Sequence, residues 1–535
     1  MIAKSAVEKF LNRELEDWDW LKQVPEEDLK EKVLELWPTV KFKTYQPMHH
    51  QWVSLLIGMM TDGYCFYLDM GTGKTYISLN IFRYLRYSQQ ADTLLVVVPN
   101  EVAVESWMAE IKQFTNFKAI ALIGSKESRM LALSQETDIY LINYGGLQVM
   151  MSEMQAVTKK PKATYRNGKR IPAKGKAKTS NKRVIDDKKA TEFAQKFDMV
   201  VFDEIHHCKN SKSLQFQLSE VLSREASFRY GLTGTPFGRN PTDLWAEMYL
   251  TDRGETLGET LEMFQAGFFR KVINYAGYQE WEFDKRKKFK LHKMIKHRSI
   301  RYADYECNDL PGSTKIPVPL KMTEDTKKYY ERLLAEYRAV RTGDALAKEN
   351  NYIKMRQIAS GFVYLKDEES GEVLDILMPS NPKLDMLWEL LEDIPEEKKV
   401  IIFHEFNKSC DIIEELLKQK KIKYVTLNGR TKDPIANLKK FQDPKSGVRV
   451  FVINSKSGAS NLNLQIAKYM IFFETPVSPI VRKQAEKRSD RTGQTEKVFI
   501  YDLFIKGSIE EKIYEYLKEG KDLFDDLMTG EFRFG

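Results

Sequence analysis

Five residues, Gly71-Thr72-Gly73-Lys74-Thr75, carry the clearest chemical signal in this chain. An apolar run, Tyr64-Cys65-Phe66-Tyr67-Leu68, precedes them and reads as a short buried strand. Tyr76 to Phe82 follows with helical spacing. Strand, glycine turn, Lys-Thr and helix together make a phosphate cradle. The glycines turn backbone N–H groups toward an anion, at a helix N-terminus that already favours negative charge. In such a cradle Lys74 reaches the β- and γ-phosphates of ATP, and the Thr75 hydroxyl holds Mg²⁺. The full pattern, G-x-x-x-x-G-K-S/T, asks for glycine at position 68, where this chain has Leu68.

Three further groups fit the same chemistry. Asp203-Glu204-Ile205-His206 follows the apolar run Met199–Phe202, where the acidic element of a P-loop NTPase belongs. Asp203 would hold Mg²⁺ through water, and Glu204 would take a proton from the attacking water. Thr233-Gly234-Thr235-Pro236 ends the next apolar run. Small hydroxyl residues on a tight turn can link a hydrolysis site to a moving neighbour, although alone the four residues read as an ordinary turn. Late in the chain, Arg488 and Arg491 are three apart, so on a helix they share one face. Two guanidiniums there can clamp a γ-phosphate as arginine fingers do. The bland alternative is a solvated basic helix, since Lys483, Lys487 and Lys497 are nearby.

These groups need a scaffold of alternating strands and helices, and the apolar pattern supplies one. Strand candidates Thr93–Val98, Asp138–Ile142, Met199–Phe202 and Arg229–Leu232 alternate with helical segments between residues 41 and 250. Continuous β-branched runs of this kind indicate a parallel α/β sheet. A second alternating region spans 381–515, with candidates Lys399–Phe403, Tyr424–Leu427, Val448–Ile453, Tyr469–Phe473 and Val498–Leu503. Between them, residues 251–380 show long helical patterns such as Glu324–Arg341 and Asn350–Gln357. Residues 1–40 read as two short amphipathic helices separated near Pro25, and 516–535 as a C-terminal tail. The expected fold is α/β, with two parallel-sheet lobes, a helical region between them and a short helical N-terminal segment.

With 535 residues the chain has room for roughly three domains. No apolar run approaches the ~18 residues of a membrane span. The N-terminus is charged and amphipathic, unlike a signal peptide. Cys65, Cys208, Cys307 and Cys410 lie far apart without a C-x-x-C, which argues against zinc and disulfides and for a reducing cytoplasm. The formal charge of +8 is unevenly placed. Residues 158–189 hold 13 Lys/Arg and two Asp, and the remainder of the chain is net −3. Rich in Lys, Ala, Gly, Pro and Ser, this stretch reads as an exposed arm or loosely formed hairpin inserted in the first lobe. Basic tracts of this kind bind nucleic acid, or serve as solvated, flexible insertions.

Taken in order, the motifs resemble those of superfamily-two helicases, and within them the Swi/Snf-type family of double-stranded DNA translocases. LDMGTGKT resembles the first motif, and DEIHHCKN at 203–210 the D-E-A-H-x-x-K-N form. GLTGTPFGRNPTDLW at 231–245 resembles the third motif with its downstream Leu-Trp. SKSGASNLNL at 455–464 resembles the fifth and QAEKRSDRTGQ the sixth. Ala459 and Asn461 stand where the fifth motif usually has glycines, and Lys487 where the sixth often has one. The resemblance covers about residues 41–515.

It implies two RecA-like lobes with ATP and Mg²⁺ bound between them. Gly71, Thr72, Gly73, Lys74, Thr75, Asp203 and Glu204 would come from one wall, and Arg488 and Arg491 from the other. Gln51 would read the adenine, with Gln46 in reserve. His206, Thr233, Gly234, Thr235 and Gln484 would couple hydrolysis to movement along double-stranded or branched DNA. Alternative roles are a helicase that reverses forks or migrates Holliday junctions, a restriction-system motor, and a catalytically dead scaffold. The chain's economy suggests a small bacterial or phage member. In the arm, Lys159, Lys160, Lys162, Arg166, Lys169, Arg170, Lys174, Lys176, Lys178, Lys182 and Arg183 are the expected DNA contacts. A second basic run, Lys285–Arg301, reads either as a DNA contact or as a solvated edge.

Overall fold

A computed structural model describes residues 4–69, 71–159, 164–166, 169–171, 178–234, 241–273, 279–307, 313–339, 353–366, 373–455, 464–489 and 497–519. The chain forms two compact units. Residues 1–69, 73–270 and 281–302 make the first, and 70–72, 271–280 and 303–535 the second.

The first unit is built on β1 (Gly63–Leu68), β2 (Leu94–Val98), β3 (Ala119–Ala121) and β4 (Ile139–Asn143). After four arm strands come β9 (Met199–Asp203), β10 (Phe228–Thr233) and, beyond the small pair β11 (Phe269–Ile273) and β12 (Gln279–Phe283), β13 (Ser299–Tyr302). The sheet order is β13-β1-β10-β9-β2-β4-β3, every pairing parallel. Leu94-Leu95-Val96-Val97-Val98 is buried throughout, as a strand covered on both faces by helices must be. This order positions the site. Tyr67 pairs with Thr233 and Leu232 with Asp203, so the phosphate cradle, the Thr233 turn and the acidic pair leave the C-terminal ends of three neighbouring interior strands.

The N-terminal forty residues pack on this unit. Helices Lys4–Leu11 and Glu26–Leu36 flank a short 3₁₀ turn at Asp19–Gln23, with Pro25 capping the second helix. Phe10 meets Phe268 edge-on at 6.2 Å, and the Lys22 ammonium donates to the Arg301 carbonyl at 2.6 Å.

The second unit carries β14 (Ser313–Leu320), the antiparallel hairpin β15 (Phe362–Lys366) with β16 (Val373–Leu377), then β17 (Lys399–His404), β18 (Tyr424–Leu427), β19 (Val450–Asn454), β20 (Ala467–Phe472) and β21 (Val498–Ile505). Its sheet runs β14-β21-β20-β17-β19-β18 and is again wholly parallel. Two RecA-like α/β lobes are therefore present, as expected. The stretch 251–380 contains the expected helices, such as Glu324–Ala339, but it also completes both sheets. Its β13 is an edge strand of the first and its β14 an edge strand of the second. β14 escapes a sequence reading because Pro317 and Pro319 interrupt it, which only an edge strand tolerates.

One core residue breaks the apolar rule. Glu247, on the helix Thr242–Asp252, is fully buried, and neither carboxyl oxygen has a hydrogen-bond partner among the described residues. Burial pushes its pKa well above the carboxylate range, helped by Asp243 and Glu204 and opposed by Lys209. The native state therefore keeps it protonated, whereas the unfolded chain ionises it above about 4.5. Its cost thus grows as pH rises. Glu247→Leu should raise unfolding free energy by about 1–3 kcal/mol, more at pH 8 than at pH 5. Denaturant melts at the two pH values check this, and a loss of stability at both would contradict it.

Candidate active site

The cradle has the backbone the sequence demands. Gly71 and Gly73 adopt φ of 85° and 88°, in the left-handed region that side chains avoid. Gly73 caps the helix Lys74–Tyr87 and is doubly constrained, because a Cβ there would lie 2.4 Å from Gln51 Nε2. Gln51 therefore sits against the loop. Its Oε1 accepts from the Met48 backbone N–H at 3.0 Å, closing the N-terminus of the helix His49–Met60. Gln46 is exposed on the segment before that helix. Lys74 and Thr75 open the cradle helix, where the peptide dipoles favour an anion.

Lys74 Nζ lies 3.6 Å from Glu204 Oε1 and has no hydrogen-bond partner among the described residues. Glu204 follows β9 with φ 50° and ψ 54°, a strained conformation for a side chain with a Cβ. Its Oε2 accepts from the Thr233 hydroxyl at 3.0 Å and lies 3.3 Å from His206 Nδ1. His206 Nδ1 is also 3.0 Å from that hydroxyl. Burial opposes ionisation of Glu204, but Lys74, His206 and Thr233 outweigh it and hold the carboxyl well below its ordinary range. The result is a buried, ionised base with a fixed orientation, linked through Thr233 to the turn at Gly234. That turn is close: a Cβ on Gly234 would be 3.2 Å from the Leu68 carbonyl oxygen.

Asp203 is held from other directions. The Trp107 indole N–H donates to Asp203 Oδ2 at 2.9 Å, and the Tyr144 hydroxyl donates to the Asp203 carbonyl at 3.1 Å. His207 stacks between Tyr144 and His206, and burial together with His206 pushes its pKa down to about 4, so its ring is neutral.

In the second unit two arginines share one aromatic pair. Phe403 and Phe472 stack at 4.6 Å, with the Arg482 guanidinium 3.6 Å from Phe472 and that of Arg488 5.4 Å from Phe403. Arg482 is neutralised by Asp502 and by Glu486 at 2.6 Å. Arg488 is 2% exposed, and none of its three side-chain nitrogens has a hydrogen-bond partner among the described residues. Burial alone pushes its pKa down to about 9. A buried guanidinium beside a paired one, but itself without a hydrogen-bond partner among the described residues, is poised for an anion.

Residues 45–370 match the SNF2-related domain family, and residues 382–494 the helicase conserved C-terminal domain. The chain belongs to the SNF2-related family. Among its relatives, the CHD3-type chromatin-remodeling factor PICKLE of Arabidopsis thaliana is 25% identical over 87% of this chain and 32% of its own length. The transcription regulatory protein SNF2 of Saccharomyces cerevisiae is 26% identical over 91% of this chain and 28% of its own. The solved SWI2/SNF2 ATPase core of Sulfolobus solfataricus in complex with dsDNA is 22% identical, covering 92% of this chain and 94% of that one, with a TM-score of 0.39. The chain thus spans about a third of these two curated relatives. These three relatives are plant, yeast and archaeal, and do not bear on the bacterial or phage origin suggested by the chain's economy.

Within this SNF2-related chain, the structure brings Gln51, Gly73, Lys74, Glu204, His206, Thr233 and Gly234 together. It places Gln484 in the buried helix Pro479–Glu486. That helix ends before Arg488, which corrects the expectation of a helical pair with Arg491. Arg488 lies in the turn beyond, where its carbonyl accepts from the Leu464 N–H at 3.0 Å. Thr235, Arg491, Lys160, Lys162, Lys174 and Lys176 lie outside the described residues. Arg183 has an internal partner, the Gln148 carbonyl at 2.9 Å. The second basic run also spends much of its charge internally: Arg298 pairs with Glu255 at 2.6 Å and Arg301 with Asp69 at 3.1 Å. Trp107, Tyr144 and Arg482 were not apparent as site residues from sequence. The only hint for Trp107 is a buried indole, whose N–H must find an acceptor.

Proposed function

We propose that this chain is the ATP-hydrolysing motor of a DNA translocase. The observation that carries this reading is the Lys74–Glu204–Thr233–His206 set beside the Gly71–Gly73 turn. A helix N-terminus and an ammonium without a hydrogen-bond partner await phosphate, and an ionised carboxylate awaits a proton. Gly71, Thr72, Gly73 and Lys74 hold the triphosphate, Gln51 reads the base, and Thr75 and Asp203 hold Mg²⁺. When bound, the metal offsets phosphate charge. Trp107 fixes the Asp203 carboxylate for that task. Glu204 orients the attacking water and accepts its proton. Phosphate binding draws Lys74 toward the nucleotide and releases Glu204 from it. Arg488 and Arg491 are our candidates for stabilising developing phosphate charge.

Family membership and relatives named for chromatin remodelling support DNA as the track. Contacts through phosphates would make the motor indifferent to sequence and sensitive to salt. Parallel assays of triplex displacement, strand unwinding and four-way junction processing test the task. Triplex displacement without unwinding is the expected result. Preferential processing of forks or four-way junctions would replace the translocase by a branch-migration enzyme. Activity only with added nuclease or methyltransferase subunits would point to a restriction motor.

A further inference from the structure

The insertion in the first unit forms a hairpin of unusual composition. β5 (Ser152–Lys159) pairs antiparallel with β8 (Lys178–Ile185) over eight residues, and nearer the tip β6 (Thr164–Arg166) pairs with β7 (Lys169–Ile171). At ~3.3 Å per residue the paired stem runs about 26 Å. Its root is fixed: the Asp186 N–H donates to the Met151 carbonyl at 3.1 Å, and Arg183 reaches back to Gln148.

The register sets like charges against each other. Lys159 is directly opposite Lys178, and Arg166 directly opposite Lys169, with Tyr165 opposite Arg170. Like charges at directly opposed positions repel and weaken the ladder. No acidic residue lies between Met154 and Ile185 to relieve them; the nearest are Glu153 and Asp186 at the root. Polar and charged residues outnumber apolar ones in both alternating sets of stem positions, so neither face has the composition of one that packs on a core. A hairpin with a secured base, no apolar face and repeated like-charge pairs is stabilised by a polyanion laid along it.

We propose that the β5–β8 arm is a second nucleic-acid site, which grips the phosphate backbone of duplex DNA outside the motor's own track. The polyanion's identity rests on the DNA-motor reading above. The arm's contacts are electrostatic and independent of sequence. They tether the motor to its duplex through charge that the net-negative remainder of the chain lacks.

The test uses the full chain with Lys159, Arg166, Lys169, Arg170 and Lys178 all changed to Gln. Binding to a 30-base-pair duplex, about the length of three helical turns, is followed by fluorescence anisotropy across salt. The expected result is at least about tenfold weaker binding at 150 mM salt, and a log–log salt slope shallower by up to about 4.5. A second variant, with Lys159, Lys169 and Lys178 changed to Arg, should bind like wild type. A melting curve for each variant reports its folding. Unchanged affinity and slope in the Gln variant would overturn the arm's role and leave the motor reading intact. Weakened binding in the folded Arg variant would overturn the electrostatic argument. If polyglutamate bound the arm better than duplex, an acidic protein surface would replace DNA as the partner. Conversely, arm-dependent duplex binding by a wild type whose ATP turnover ignores DNA would sustain the arm and overturn the motor.

Discussion

An Arg488→Met variant is expected to hydrolyse ATP about a thousandfold more slowly than wild type, within the range for removal of an arginine finger. It should nevertheless melt at an equal or higher temperature. The two effects share one cause. Arg488 is buried, the face of Phe403 is its side chain's one interaction among the described residues, and burial alone lowers its pKa to about 9. A cation–π contact returns at most about 2 kcal/mol. An uncompensated buried charge costs several kcal/mol even after relaxation, so an unbranched apolar side chain should add about 1–4 kcal/mol of stability. Arg482 is the internal control. Asp502 and Glu486 satisfy it, so Arg482→Met should destabilise by leaving the buried Asp502 carboxylate without its ion pair, while Glu486 keeps Lys315 at 2.9 Å. Steady-state turnover and thermal melting of both variants decide the matter. Wild-type turnover in Arg488→Met, or a large fall in its melting temperature, would remove Arg488 from the catalytic account.

Glu204→Gln should lower turnover by about 10²–10⁴-fold while nucleotide binding stays within a few-fold of wild type. The amide keeps the shape of the carboxylate and an oxygen for the Thr233 hydroxyl, but cannot accept a proton from water. Lys74 also loses the charge it faces at 3.6 Å, so nucleotide affinity should not fall. The pH dependence follows from the depressed Glu204 pKa. The carboxylate remains ionised below its ordinary value of 4.5, so its stabilisation is present above that value and is lost only as pH falls toward the lower folded pKa. Wild-type kcat/KM, which reports the nucleotide-free enzyme with Lys74 still facing Glu204, should therefore show no acid limb from Glu204 between pH 5 and 7. Retained turnover in Glu204→Gln, measured alongside binding of a fluorescent nucleotide, would displace Glu204 as the base.

What the sequence made legible was chemistry that must be contiguous. A phosphate cradle needs its glycines, lysine and threonine side by side, and the acidic pair must leave a buried strand. Both were readable from residue type and order. The central strands were legible within a residue or two, because β-branched runs buried on both faces have no other use. Groups that meet across long separations were not. Trp107 and Asp203 are 96 residues apart, and Tyr144 and Asp203 are 59 apart. Two edge strands were lost as well, since β3 has three residues and β14 is broken by prolines, whereas the edge strand β18 was legible. The isolation of Arg488 and the opposed lysines of the arm are facts of register and burial, which composition does not contain.

The account stands or falls on a coupled motor site. Its most direct test is steady-state ATP turnover by the full chain, with and without linear duplex DNA, beside Lys74→Ala. Duplex should raise turnover at least about tenfold, within the scale of a stabilised transition state, and Lys74→Ala should abolish both basal and stimulated rates. Turnover unaffected by any DNA, or persisting in Lys74→Ala, would contradict it.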